Sequence, residues 1–212
     1  MSLQSRRRIA WELGVGSWEL GVAVRLIRIS ATIASIVFLS APAFAQDWID
    51  YVSREEHFSV NFPRQPAVQQ ITYTSQRGRM LPARVYTVQD GPRRYSVTVV
   101  NYAADTDVTD TRGSIAYAAW NIRKRGGEVT YDAYAQVDRI EGHELHITNA
   151  DRSTTFAAIH LHARRLYILE ATVPRGAGAP LEFQNSLSIL DEGGTRVRYE
   201  LDADGQRIGR VR

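Results

Sequence analysis

Apolar and polar residues alternate through most of the chain beyond residue 46, which is the signature of half-buried strands. Phe58, Val60 and Phe62 share one face of a short strand, His57, Ser59 and Asn61 share the other, and Pro63 and Pro66 end it. Val68 to Thr74 and Ala83 to Gln89 alternate in the same way on either side of the basic turn Gln76-Arg77-Gly78-Arg79. Asp90-Gly91-Pro92 then turns the chain into the β-branched run Tyr95-Ser96-Val97-Thr98-Val99-Val100. Three consecutive strands with short links predict an antiparallel meander.

The period changes at Gly113. Ile115, Ala118, Ala119 and Ile122 fall on one helical face, Arg123-Lys124-Arg125 occupy the last turn, where cations suit the negative helix end, and Gly126-Gly127 supply the stop. Strands resume as Glu128 to Val137, His143 to Asn149, Thr154 to Ala163 and Leu166 to Val173. After a Gly-, Ala- and Pro-rich connector, Pro180 and Glu182 mark the start of a second helix with Phe183, Leu187 and Leu190 as its buried stripe. The tail from Asp191 ends in a hairpin, with Val197, Tyr199 and Leu201 before the turn Ala203-Asp204-Gly205. The pattern predicts an α+β chain in which an antiparallel β-sheet is flanked by helices, with no βαβ alternation.

The N-terminus has a different character. Arg25 and Arg28 precede the apolar run Ile29 to Leu39, and Ala41-Pro42-Ala43-Phe44-Ala45-Gln46 follows, with small residues where signal peptidase requires them. Residues 25–45 therefore read as a signal peptide cleaved after Ala45, and the product as periplasmic or secreted. The segment is short for a spanning helix and Pro42 breaks it, so no stable membrane span is expected after cleavage. Upstream, Trp11-Glu12-Leu13-Gly14-Val15 recurs as Trp18-Glu19-Leu20-Gly21-Val22. Two copies make no coiled coil, and residues 1–24 read as an extension ahead of a true start near Val22 or Val24. This divides the chain into 1–24, the signal 25–45, one domain over 46–190, and a tail or hairpin over 191–212.

Charge has to be read after that division. The chain carries 26 basic and 23 acidic side chains, but residues 1–45 hold five arginines and two glutamates, which leaves 21 of each sign beyond them. A balanced body has no electrostatic reason to seek phosphate backbones, and no nucleic-acid partner is expected. The chain has no cysteine, which removes disulfides, thiolate nucleophiles and sulfur-ligated zinc.

No phosphate loop, dinucleotide fingerprint or nucleophile elbow is present, and His143-Glu144-Leu145-His146 is no zincin motif, because residues three apart in a strand face opposite ways. If His143 to Asn149 and Thr154 to Ala163 pair with Leu145 and Ile147 beside Ile159 and Leu161, one face carries Glu144, His146, His160 and His162. Those four are the candidate metal ligands, beside the plainer reading that they are histidines of a half-exposed sheet. Glu55 and Glu56 are adjacent and diverge in an extended segment, and Asp105-Thr106-Asp107 lies in a polar loop. Neither offers a spacing that acid–base catalysis needs. Asp202-Ala203-Asp204-Gly205 opens like a calcium loop but is a simple turn, since the chain ends before the bidentate ligand. Arg93-Arg94 and Arg164-Arg165 read as solvated charge, and Tyr73, Tyr86, Tyr95 and Tyr102 as core with room for an exposed tyrosine platform.

Two segments, Phe58-Ser59-Val60-Asn61-Phe62-Pro63 with Pro66, and Leu166-Tyr167-Ile168-Leu169 with Phe183 and Ser186-Leu187-Ser188-Ile189-Leu190, resemble the opening and closing elements of the PsbP-like superfamily. The resemblance implies an α/β/α sandwich and, since that superfamily is mostly binding or assembly modules without a shared catalytic set, it assigns no functional residue. The expected function is an exported, non-catalytic binding or assembly module without a cofactor that contacts a protein or envelope component. The alternative is a metal- or small-ligand-binding protein using the histidine face.

Overall fold

The computed structural model describes residues 48–103 and 110–211, within a compact unit spanning Gln46–Arg212. The signal segment 25–45, the extension 1–24 and the Asp105-Thr106-Asp107 loop lie outside the described residues.

Among the described residues, twelve strands and two helices follow in order. They are β1 (Ile49–Ser53), β2 (Phe58–Phe62), β3 (Ala67–Thr74), β4 (Met80–Asp90), β5 (Arg93–Asn101), α1 (Thr111–Arg123), β6 (Glu128–Val137), β7 (Ile140–Thr148), β8 (Thr154–His162), β9 (Arg165–Val173), α2 (Leu181–Gln184), β10 (Ser188–Ile189), β11 (Tyr199–Leu201) and β12 (Arg207–Arg210). The strands β3 to β9 form one seven-stranded sheet in the order β3-β4-β5-β9-β8-β7-β6, antiparallel throughout. Two meanders, β3-β4-β5 and β6-β7-β8-β9, thus meet where β5 pairs β9. That central pair is buried on both faces, which is why Leu166-Tyr167-Ile168-Leu169 is apolar at every position.

Each face has its own core. On one, α1 lays Ile115, Ala118, Ala119 and Ile122 against Val100, Leu145, Ile159 and Leu166. On the other, a small sheet in the order β1-β2-β10 packs Phe58, Val60 and Phe62 onto Tyr86, Tyr95, Val97, Tyr167 and Leu169. Phe58 meets Tyr86 edge-on at 5.1 Å, and Tyr95 meets Phe183 at 5.3 Å, so aromatic packing adds to the area buried.

The expected sheet with helices flanking it is not what the chain builds. The structure is 54% strand and 11% helix, and the face opposite α1 is covered by strands rather than by a second helix. The reason lies between Phe183 and Leu190. After the single turn of α2, the Asn185 N–H closes on the Leu181 carbonyl, and the Ser186 hydroxyl donates to the Phe183 carbonyl (2.8 Å) while accepting from the Asn61 N–H (2.8 Å). The chain then becomes β10, with Ser188 and Ile189 opposite Ser59 and Phe58. Leu187 and Ile189 enter the core at a spacing of two, so a run that reads as a helical stripe is buried as a strand. Of the tyrosines expected as core or platform, Tyr86, Tyr95 and Tyr102 are buried and Tyr73 is partly buried against the α1 core.

Helix α1 begins at Asp110, whose carboxylate accepts from the Gly113 N–H at 2.7 Å. Its last turn carries cations that are used structurally. Arg123 donates twice to Asp132 (2.8 and 2.9 Å), Arg125 pairs with Glu170 (2.5 Å), and Lys124 lies over the Trp120 ring. Losing the cap in Asp110→Ala is expected to cost about 1 kcal/mol and Asp110→Ser much less. Urea midpoints of the two variants check this, and an unchanged midpoint for Asp110→Ala would show that the bond contributes nothing.

Candidate functional site

Two hairpins of the second meander turn at the same end of the large sheet. Between β6 and β7 the loop is Asp138-Arg139, closed by Val137 opposite Ile140, and between β8 and β9 it is Ala163-Arg164, closed by His162 opposite Arg165. A two-residue hairpin loop is matched to strand twist when both residues take positive φ, a conformation that Asn-Gly adopts most easily. Here neither loop contains glycine or asparagine. Asp138 and Arg139 sit at φ 51° and 66°, and Ala163 and Arg164 at 45° and 61°. Each turn therefore carries a backbone cost of about 1 to 2 kcal/mol per residue and places an arginine at its second position.

The first turn of α1 arrives at this end with Arg112, and the β11-β12 hairpin folds over it. Tyr199 donates its backbone N–H to the Asp138 carbonyl (3.3 Å), and the Arg207 guanidinium donates to the Arg139 carbonyl (2.9 Å) while stacking 4.7 Å from the Tyr199 ring. Asp138 is held by Arg196 (2.5 and 3.1 Å) and Arg198 (3.5 Å). The hairpin is in turn closed by Asp202, whose carboxylate accepts from the Asp204 and Gln206 N–H groups (3.0 and 2.7 Å). Between the turns, α1 and this hairpin lies an open cleft of about 810 Å³, lined by Arg112, Arg139, Arg164, Arg207, Glu141 and His162 among others.

The charge in the cleft is one-sided. Arg112 is bidentate on Glu141 (2.9 and 3.3 Å), which holds that carboxyl below its ordinary value. Among the described residues Arg139, Arg164 and Arg207 form no salt bridge; Arg164 and Arg207 donate to backbone carbonyls, Arg207 lies over the Tyr199 ring, and its charge also helps hold Glu141 low. The N–H groups of Thr111 and Arg112 stand in the first turn of α1, where the helix contributes partial positive charge. His162 donates or accepts at Nε2 with the Tyr199 hydroxyl, 2.8 Å away. Burial, then Arg207 and Arg210, hold its imidazole below the usual value, so it adds no charge of its own at neutral pH.

Of the four residues expected to gather a metal, only Glu144 and His146 are hydrogen-bonded to each other. Leu145 and Ile147 do share a face with Ile159 and Leu161, but the pairing is displaced along the strands, with Leu145 opposite Ala157 and Ile147 opposite Thr155. His146 is consequently opposite Phe156 and His160 opposite Gly142. His146 bonds to Glu144 (3.1 Å) and lies between Tyr131 and Phe156. His160 is buried, its Nδ1 without a hydrogen-bond partner among the described residues, and His162 belongs to the cleft. No group of three or more histidines and carboxylates among the described residues is placed to hold a metal ion.

Two further clusters are structural. Glu55 and Glu56 lie in the turn between β1 and β2, not in an extended segment. That turn brings both carboxylates onto Arg84, and Glu56 also onto Arg165 at 3.7 Å. On the α1 face, His143 bonds to Asp132 (2.5 Å). Burial raises the Asp132 carboxyl, but the hydrogen bonds from His143 and Arg123 outweigh it and hold the group below its ordinary range. His143, His146 and His162 meet Asp132, Glu144 and Tyr199 respectively, and none of these bonds reaches a serine or threonine hydroxyl.

Reading Arg164-Arg165 as solvated charge misses the cleft. The spacing gives only part of it: the expected strands leave short links at 138–142 and 164–165, each with an arginine, and the observed pairing narrows them to two-residue turns at 138–139 and 163–164. The tail hairpin that completes the cleft is itself expected from Tyr199 and Leu201 before the Asp204-Gly205 turn, but nothing local places it over the two arginine turns. No helix among the described residues is long and apolar enough to cross a membrane. No protein-family model matches the chain, and no curated protein matches it either.

Proposed function

We propose that the chain is an exported, non-catalytic binding module of the periplasm or cell exterior, which holds a protein or envelope component at the arginine-bearing end of its large sheet. One observation carries this reading. In a body with equal numbers of acids and bases beyond residue 45, three arginines that form no salt bridge among the described residues line a single cleft. Elsewhere arginines such as Arg64, Arg123 and Arg125 are matched by acids. Unneutralised charge in a concave site has use only when a complementary group enters it.

The native chain lacks cysteine, so a single introduced one is a unique attachment point. A photo-crosslinker on Gln206→Cys at the cleft is expected to give a discrete adduct in the periplasmic fraction of cells expressing the chain. The same label on Val68→Cys, on the far edge strand β3, is expected to give none. Equal adducts from both positions, or recovery of the chain in the cytoplasm, would overturn the reading.

A further inference from the structure

We infer that the cleft takes a phosphate group, gripped by Arg139 and Arg164 from the two hairpin turns with Arg207 from the tail hairpin closing over it. This rests on the binding reading above and names the chemistry of the ligand.

Three features select phosphate over a single carboxylate. The first is the amount of charge. Glu141 already neutralises Arg112, and the three remaining guanidinia exceed what one carboxylate satisfies, whereas a phosphate ester or inorganic phosphate carries about −1.5 to −2 with at least three acceptor oxygens. The second is donor chemistry. Guanidinium forks match phosphate oxygens in pairs, and the cleft adds Thr111, Gln136 and Gln206 as neutral donors beside the first turn of α1.

The third feature is the backbone. Both turns hold arginine at positive φ where glycine would sit without strain. Backbone strain of this kind gathers at functional sites, where a side chain is worth more than the relaxed turn. The turn at the other end of the same meander, Asn149–Ser153, has one such residue, Arg152 at φ 67°, but no second arginine turn next to it, since β7-β8 is the only hairpin of that meander closing there. Convergence, and not strain alone, distinguishes the cleft.

The test is titration of the purified protein with inorganic phosphate, followed by NMR of the His162 ring. Expected is saturable binding in which the His162 signals move and its titration shifts to higher pH, because a nearby dianion offsets the charge of Arg207 and Arg210. Arg139→Gln with Arg164→Gln is expected to weaken binding tenfold or more, and Arg152→Gln to leave it unchanged. A second pair, Arg139→Gly with Arg164→Gly, relieves both turns. It is expected to unfold at a higher temperature than the native chain and still to have lost phosphate, which separates loss of the site from loss of the fold. Vesicles with and without anionic phospholipid form a parallel arm. Flotation that depends on Arg139 and Arg164 makes a lipid headgroup the source, and binding of phosphate without flotation makes it a free or esterified phosphate. Phosphate binding that Arg152→Gln weakens as much as the cleft pair would show diffuse surface charge and overturn the inference. So would the absence of binding in both arms. A Gln206→Cys adduct that persists in that last case would leave the binding module standing with a different ligand class.

Discussion

Gly142→Ala is expected to cost about 3 kcal/mol, at the upper end of what overpacking does to a core. Gly142 sits directly opposite His160 in the β7-β8 pair. A methyl group there would lie 2.1 Å from His160 Nδ1, 2.4 Å from Cε1 and 2.5 Å from the Ile159 carbonyl oxygen. The φ of Gly142 is one any residue adopts, so space and not conformation demands glycine. His160 has little freedom to withdraw, because its residue is 4% exposed and Tyr167 stands opposite it on β9. Urea unfolding should show a lower midpoint with an unchanged slope. Combining Gly142→Ala with His160→Ala should recover only part of the loss, since the carbonyl contact is backbone and stays. A single variant within about 0.5 kcal/mol of the native chain, the ordinary range of harmless substitutions, would refute the packing argument.

Acidification from pH 7 to pH 4 is expected to remove about 3 kcal/mol of stability through His160 alone. Burial pushes its imidazole down from 6.5 to about 4, only partly opposed by the backbone of Glu141 and Ile140 and by the Glu144 carboxylate. A histidine whose folded value is depressed favours the folded state while both forms are neutral, above about 6.5. That contribution is lost as the pH falls towards 4, because the unfolded chain takes up the proton first. His162, depressed by burial and by Arg207 and Arg210, acts in the same direction. Carboxylates such as Glu141, held low by Arg112, lose their share at lower pH still. The measurement is urea stability at several pH values for the native chain and for His160→Gln. The variant starts lower, but its slope between pH 6.5 and pH 4 should be shallower by most of the His160 share. Parallel slopes in the two proteins would assign the acid sensitivity elsewhere.

Most strands were legible because their alternation is local. Phe58, Val60 and Phe62 are buried where period two places them, and Ile115, Ala118, Ala119 and Ile122 where period 3.6 does. What misled was a segment with both periods. Phe183, Leu187 and Leu190 fit a helical stripe, yet Leu187 and Ile189 fit a strand equally well, and the free edge of β2 decides for the strand. The candidate histidines failed for a related reason. Their faces follow from parity, which sequence supplies, but their separation depends on a register that slides by whole pairs without changing any face. Glu55 and Glu56 converge on Arg84 because of a turn whose partner strand is 28 residues on.

Sequence by itself determined the alternation that makes two antiparallel meanders and one amphipathic helix, the balance of charge beyond residue 45, and the lack of any thiol chemistry. These are properties of neighbours along the chain, and neighbours are what a linear reading holds. Only the tertiary structure decided that strands and not a helix cover the second face, that His146, His160 and His162 stay apart, and that Arg139, Arg164 and Arg207 come together. Each of those depends on distances between residues far apart in the chain, fixed by the pairing of β5 with β9 and by the tail hairpin docking on Asp138 and Arg139. No periodicity encodes such distances, because burial rewards a face and is nearly indifferent to which polar side chains meet beyond its rim.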